Sequence, residues 1–199
     1  METTQQPINL LPVDGEARLY NHFFPPEESA RIMDALVNGI QWKQEPITIM
    51  GRQVMQPRLT AWYGDADKPY TYSGTTMQPL PWTEELQFIR SRIEPLAGVH
   101  FTSALLNYYR DGNDSMGWHR DNEKSLGPQP VIGSVSFGAA RYFHFKHTKN
   151  KDLRVKTVLT DGSFLLMAGD TQEHWYHSVP KTARVTEARI NITFRTIVG

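Results

Sequence analysis

His119 and Asp121 in "GWHRDNE" stand one residue apart, and a strand would project both side chains into the same space. An imidazole and a carboxylate so placed can be two ligands of one metal ion, although alone such a pair could equally be a surface ion pair. A third donor comes from "HWYHSVP", where His177 is the expected ligand. His174 competes for that place, but its three-residue offset turns it to the opposite side of a strand. Two imidazoles and one carboxylate suit iron(II) and leave coordination positions open for a co-substrate and O2.

A second constellation lies near the C-terminus. In "RINITFR" the odd positions Arg189, Asn191, Thr193 and Arg195 share one face, while Ile190, Ile192 and Phe194 share the other as core residues would. Two guanidiniums on one polar face can clamp two carboxylates, because the planar fork of arginine matches a carboxylate bidentately. A dicarboxylate that also chelates iron fits, and 2-oxoglutarate is the obvious candidate. Asn107 and Tyr109 in "LNYYR" likewise share a face and could bond to the same molecule.

These side chains need rigid strands to hold them. From about residue 101 the chain alternates short β-branched and aromatic runs ("FTSALLNYYR", "PVIGSVSFG", "RYFHFKHT", "SFLLMAG", "ARINITFRTIV") with turns at "DGND", "LGP" and "TDG". Upstream, 25–40 and 82–96 carry helical periodicity, the first with prolines and glutamates at its start, the second with Thr83 as N-cap. "ITIMGRQVMQPR" reads as a hairpin turning at Met50-Gly51. The expected class is α+β: a jelly-roll core, or double-stranded β-helix, with N-terminal helices buttressing one sheet. A single domain over 1–199 is expected, with 1–44 an N-terminal extension and helix, 45–100 a lid and second helix, and 101–199 the catalytic core.

Composition narrows the chemistry. The chain has 199 residues, no cysteine and a formal net charge of zero. Disulfide frameworks, thiolate metal sites and cysteine nucleophiles are therefore excluded. With 39% hydrophobic and 21% charged residues and no long apolar run, a membrane protein is not expected. "METTQQPINLLPVDGEARLY" lacks a basic and apolar leader, so an intracellular monomer is the expectation, cytoplasmic in a bacterium or nuclear in a eukaryote. Against the neutral average, "RYFHFKHTKNKDLRVK" gathers Arg141, Lys146, Lys149, Lys151, Arg154 and Lys156 around a single acid, Asp152, a loop suited to phosphates.

Taken together, "LNYYRDG", "GWHRDNE", "VIGSVSFGA", "HWYHSVP" and "RINITFR", in that order and spacing, resemble the AlkB family of Fe(II)/2-oxoglutarate dioxygenases, on the branch that repairs alkylated DNA. The resemblance covers roughly residues 45–199. It implies His119, Asp121 and His177 as iron ligands, and a 2-oxoglutarate pocket of Asn107, Tyr109, Arg189, Asn191, Thr193 and Arg195. Arg189 is expected at the distal carboxylate and Arg195 at the one beside the keto group. The implied activity is oxidative demethylation of bases such as 1-methyladenine and 3-methylcytosine in single- or double-stranded DNA, releasing formaldehyde, succinate and CO2. RNA demethylation, oxidation of a protein or small molecule, and a non-catalytic nucleic-acid-binding module are the alternatives.

"PRLTAWYGDADKPYTYSG" resembles the family's nucleotide-recognition lid. A base repaired within a duplex must be flipped out and stacked on an aromatic ring. Tyr72 is expected as that platform, Tyr70 and Ser73 at the nearby backbone, and Arg58 near the mouth. Glu123, on the face of Asp121 if the strand continues, could accept a hydrogen bond from the base's exocyclic amine. Met50, at the hairpin tip, falls where duplex-acting relatives place an apolar wedge.

Overall fold

A computed structural model describes residues 7–198 except 50, 68–69 and 73–74, with the backbone alone for 48–49, 70–72 and 75–77. Strand β1 (Glu16–Tyr20) leads into helix α1 (Pro26–Gly39). Proline at its first position and Glu27 and Glu28 in its first turn set where α1 begins, and Ile32 and Leu36 are buried on one face. The hairpin of β2 (Pro46–Ile49) and β3 (Arg52–Met55) turns through Gly51, whose φ of 78° favours glycine. Strand β4 (Leu59–Gly64) follows, then a short hairpin of β5 (Tyr70–Tyr72) and β6 (Thr75–Met77). Helix α2 (Glu84–Ala97) begins as its sequence predicts: the Thr83 hydroxyl accepts the Leu86 amide at 3.2 Å.

The rest is almost all strand: β7 (Ser103–Tyr109), β8 (Met116–His119), β9 (Ile132–Gly138), β10 (Arg141–His147), β11 (Arg154–Leu159) and β12 (Ser163–Ala168). A single helical turn, α3 (Thr171–His174), precedes β13 (Trp175–Val179) and β14 (Arg189–Arg195). Two antiparallel sheets face each other. The larger has the order β1-β12-β9-β14-β7-β4, the smaller β11-β10-β13-β8. This is the jelly roll expected from the sequence.

Period-2 alternation divides the apolar residues between two cores. On the outer face of the large sheet, Phe137, Ile190, Ile192 and Phe194 pack under Ile32, Leu36, Leu86 and Ile89 of the helices. Between the sheets, Tyr109, Phe143, Phe145, Met167, Trp175 and Val179 form the interior. Truncating a fully buried side chain such as Ile192 to alanine would cost about 2–5 kcal/mol.

The large sheet reaches beyond the segment expected to form the core. Its edges are β1 and β4, from residues expected to be extension and lid. "EARLY" is too short and too mixed to announce a strand, but β12 supplies a five-residue antiparallel partner for it. Close approach matters at Gly112, between β7 and β8: a Cβ there would lie 1.9 Å from the Thr182 carbonyl oxygen. Only glycine lets that turn bond to the loop before β14, through Gly112 N–H to Val185 O at 2.8 Å and Thr182 N–H to Gly112 O at 2.9 Å. Among the described residues no helix is long and apolar enough to cross a membrane.

Candidate active site

His119, Asp121 and His177 converge between the sheets, each offering a ligand atom within 4.8 Å of the others. Pairing of β13 with β8 sets His177 directly opposite His119, with ring centroids 4.2 Å apart. Strand β8 ends at His119, so Asp121 does not share a strand face with it. Its position is fixed instead by Gln172 of α3, whose Oε1 accepts the Asp121 amide at 2.9 Å, and by Arg195, which donates to Asp121 Oδ1 at 2.6 Å. His174 closes α3 and stacks on His147, outside the cluster.

The chemistry of these donors suits a divalent cation. His119 Nδ1 lies 2.9 Å from the Gly117 carbonyl, which can only accept, so Nδ1 carries the proton and Nε2 keeps its lone pair. Burial pushes His177 down to about 3, assisted by His119 and Arg195 and opposed by Asp121, so its imidazole is neutral at physiological pH. Burial works to raise the Asp121 carboxyl, but Arg195, His177 and His119 override it and hold it near 2. Asp121 Oδ2 is buried, 3.8 Å from His177 Nε2, with no hydrogen-bond partner among the described residues. A buried carboxylate oxygen beside two imidazoles is a ligand set for a cation.

The cluster opens on a cleft of about 380 Å³, solvent-exposed volume included. Its polar wall is the inner face of the large sheet, where Asn107, Tyr109, Asn191, Thr193 and Arg195 all lie. Register explains the gathering: β14 and β7 pair with Arg189 opposite Tyr109 and Asn191 opposite Asn107. The apolar wall is Met116, Phe143, Met167 and Val179. Arg189 sits behind Tyr109, its guanidinium carbon 5.1 Å from the ring centroid. Nη2 of Arg189 donates to Ser136 Oγ at 2.9 Å, whereas Nε and Nη1 are buried with no hydrogen-bond partner among the described residues. Burial lowers Arg189 to about 10, Tyr109 opposing and Arg141 reinforcing the shift. Donors left in that state call for a carboxylate.

Several side chains stand elsewhere than the sequence suggests. Arg58 is buried rather than at the mouth; its Nε donates to Asn107 Oδ1 at 2.7 Å and Nη1 to the Ser115 carbonyl at 3.2 Å. Glu123 does not continue the strand of His119 but precedes a 3-10 turn over Lys124–Leu126, so strand alternation cannot align it with Asp121. Arg141 is withdrawn from the basic surface, because its inward register on β10 buries it against the carbonyls of Asp111, Asp114 and Pro180. Tyr70 and Tyr72 lie in β5, their side chains outside the described residues, as are Met50 and Ser73 altogether.

Sequence reasoning missed Ser134 and Ser136, whose hydroxyls accept from Asn191 at 2.8 Å and from Arg189 at 2.9 Å. The alternation in "VIGSVSFG" is their signal, since both point away from Val135 and Phe137. Gln172 was missed as well, and nothing in its local sequence marks it.

A jelly roll whose interior joins a His-Asp-His cluster to an arginine strand defines a class. Residues 16–195 match the family model of the 2OG-Fe(II) oxygenase superfamily, whose members use Fe(II), 2-oxoglutarate and O2. The chain is 45% identical over 188 residues to "Alpha-ketoglutarate-dependent dioxygenase alkB homolog 3" of Rattus norvegicus, covering 90% of this chain and 63% of that protein. It thus spans less than two thirds of that relative. With "DNA oxidative demethylase ALKBH2" of Mus musculus it shares 37% identity over 198 residues, 94% of this chain and 83% of that protein. The chain belongs to the AlkB family within that superfamily. "The structure of OsALKBH1" superimposes with a TM-score of 0.66 at 16% identity, over 92% of this chain and 98% of that one, a likeness of fold.

Proposed function

We propose that the protein removes N-linked methyl groups from nucleic-acid bases of the 1-methyladenine and 3-methylcytosine type, as an Fe(II)/2-oxoglutarate dioxygenase acting on DNA. The observation that carries this reading is the Asp121 Oδ2 atom, buried without a hydrogen-bond partner among the described residues, beside the imidazoles of His119 and His177 in a cleft walled by the arginine strand. The demethylase named among the relatives supports the choice of substrate. Held by these residues, iron(II) with 2-oxoglutarate and O2 would supply the oxidation, one oxygen atom going to the co-substrate as it is converted to succinate and CO2 and the other to the N-methyl carbon, whose hydroxymethyl group would be lost as formaldehyde.

In this reading His119, Asp121 and His177 hold the iron. Arg195 and Arg189 meet the two carboxylates of 2-oxoglutarate, with Tyr109, Asn107, Asn191 and Thr193 between them. Arg58 holds Asn107 in place through its 2.7 Å bond to Oδ1. Met116, Phe143, Met167 and Val179 exclude water on the opposite wall. On the substrate side, Tyr72 stacks on the extruded base, Tyr70 and Ser73 meet its backbone, Glu123 accepts from its amine, and Met50 fills the gap it leaves.

The test is incubation with Fe(II), 2-oxoglutarate and oligonucleotides carrying 1-methyladenine or 3-methylcytosine, as single- and double-stranded DNA and as RNA. Restored base with stoichiometric succinate and formaldehyde on DNA is the expected outcome. Succinate without restored base would move the reading to a protein or small-molecule substrate, faster repair of RNA would change the polymer, and neither product would refute the enzyme.

A further inference from the structure

The outer face of the small sheet takes no part in the site above. Its four strands, β8, β10, β11 and β13, contain no aspartate or glutamate, in a chain whose net charge is zero. Because Phe143 and Phe145 fill the interior, Tyr142, His144 and Lys146 must point outward from β10. Register then sets Lys156 of β11 beside His144 and Arg154 beside Lys146. Arg154 and Lys156 are exposed, and the nearby carboxylates Asp152 and Glu173 lie off the strands, in the β10–β11 turn and in α3.

Aromatic rings cross the same face. Tyr142 is 54% exposed and Trp118 42%, unusual for side chains of that size on a sheet otherwise packed inward. The Trp118 and His144 ring centroids are 6.4 Å apart, and those of His144 and Tyr142 6.1 Å, so three rings run from β8 to β10. Lys146 Nζ sits 4.5 Å from the Trp118 ring, and the Arg120 guanidinium 4.9 Å from that of Tyr176. Cations interleaved with exposed rings, on strands that carry no carboxylate, complement a polymer that offers both phosphates and flat bases.

We infer that this face is a track for an unpaired nucleic-acid strand, its bases resting on the Trp118–His144–Tyr142 row and its phosphates meeting Lys146, Arg154 and Lys156. The inference rests on the proposed action on nucleic acid and extends it to a second surface. Trp118 immediately precedes His119, yet points to the opposite side of β8. The track therefore runs behind the wall that holds the metal cluster, and what lies on it is the flank of the substrate rather than the nucleotide in the cleft. A duplex keeps its bases stacked inside and could offer this row only phosphates.

The test is fluorescence anisotropy with undamaged single-stranded DNA of about 20 nucleotides, using protein loaded with Mn(II) and 2-oxoglutarate so that no turnover occurs. Tyr142→Ala should weaken binding about fivefold or more, and Tyr142→Phe should keep wild-type affinity, the loss being that of one stacked base. Lys156→Ala should flatten the dependence of log affinity on log salt by about 0.7. With a blunt duplex of equal length Tyr142→Ala should change nothing, and turnover of a methylated trinucleotide should match wild type in both alanine variants. Wild-type affinity in both variants would overturn the track, and would be the result if the face instead receives an acidic protein. Equal losses on the trinucleotide and the long strand would also overturn it, by tracing the effect to the cleft. Failure of the wild type to restore any methylated base would sink the proposed function while leaving the anisotropy comparison to judge the track by itself.

Discussion

Asp121 answers two neighbours at once: Oδ1 accepts from Arg195 at 2.6 Å while Oδ2 faces His177 at 3.8 Å. In the proposed iron site, removing the carboxylate disturbs metal binding and a buried ion pair together, and two substitutions separate them. Asp121→Asn keeps an acceptor for Arg195, so it should stay folded while Co(II) affinity, read by calorimetric titration, falls beyond the about 10- to 100-fold typical of losing an outer-shell partner. Asp121→Ala should lose metal affinity similarly and about 3 kcal/mol of stability besides, because it breaks the buried pair. Near-wild-type affinity in both would remove Asp121 from the ligand set. Arg189 makes a different prediction. Its buried guanidinium, bonded to Ser136 and beside the Tyr109 hydroxyl, keeps donors suited to an anion, so Arg189→Met should raise the KM for 2-oxoglutarate roughly 10- to 100-fold, the equivalent of one charge-assisted hydrogen bond. With co-substrate saturating, kcat should fall far less; an unchanged KM would place the distal carboxylate elsewhere.

Strand alternation made much of the site readable, because one residue on a face fixes every second neighbour. "RINITFR" separates Arg189, Asn191, Thr193 and Arg195 from three core residues, and β14 adopts that division with every residue buried. What alternation could not reveal lies where strands stop. Asp121 is placed by Gln172, 51 residues away in sequence, and Arg58 reaches Asn107 across a separation of 49, contacts with no local periodicity to announce them. The loop from β7 to β8 is another such element, pinned by Asp114, which accepts the Arg110 backbone amide at 2.9 Å and its Nε at 2.8 Å. Burial tends to raise the Asp114 carboxyl, but these Arg110 bonds, with Arg141 nearby, win and hold it below its ordinary 3.8. A depressed carboxylate contributes stability that is fully present above its unfolded value and lost as pH falls through its folded one. Asp114→Asn should thus be less stable than wild type by about 1–2 kcal/mol near neutrality, toward the low end for a charged partner because Arg110 is half exposed. Denaturant unfolding should show the gap steady down to about pH 4, then closing under stronger acid. A gap independent of pH would assign the effect to shape rather than charge.

At the scale of the whole molecule, the large sheet needs an edge, and the N-terminal segment provides it. Strand β1 pairs with all but the first residue of β12, while Asn9 Oδ1 accepts the amides of Leu11 and Ala17 and folds the preceding loop back on it. Trp175, fully buried between the sheets, donates its indole N–H to the Val13 carbonyl at 3.1 Å, so the same segment also closes the interior. Deleting residues 1–20 would leave β12 as an open edge beside exposed apolar side chains, the arrangement that templates pairing between chains. Losing the burial of Leu11, Ala17 and Leu19 alone would cost about 4 kcal/mol, and a chain of this size should then melt roughly 10 °C lower. Met167 belongs to β12 and to the apolar wall of the cleft, so a frayed edge should also raise the KM for 2-oxoglutarate without touching a ligand. Thermal unfolding, light scattering and KM measured on one truncated preparation bring the three consequences together. A truncated chain that melts like wild type and stays monodisperse would make β1 an appended strand, and the jelly roll would then be complete from β12 to β4.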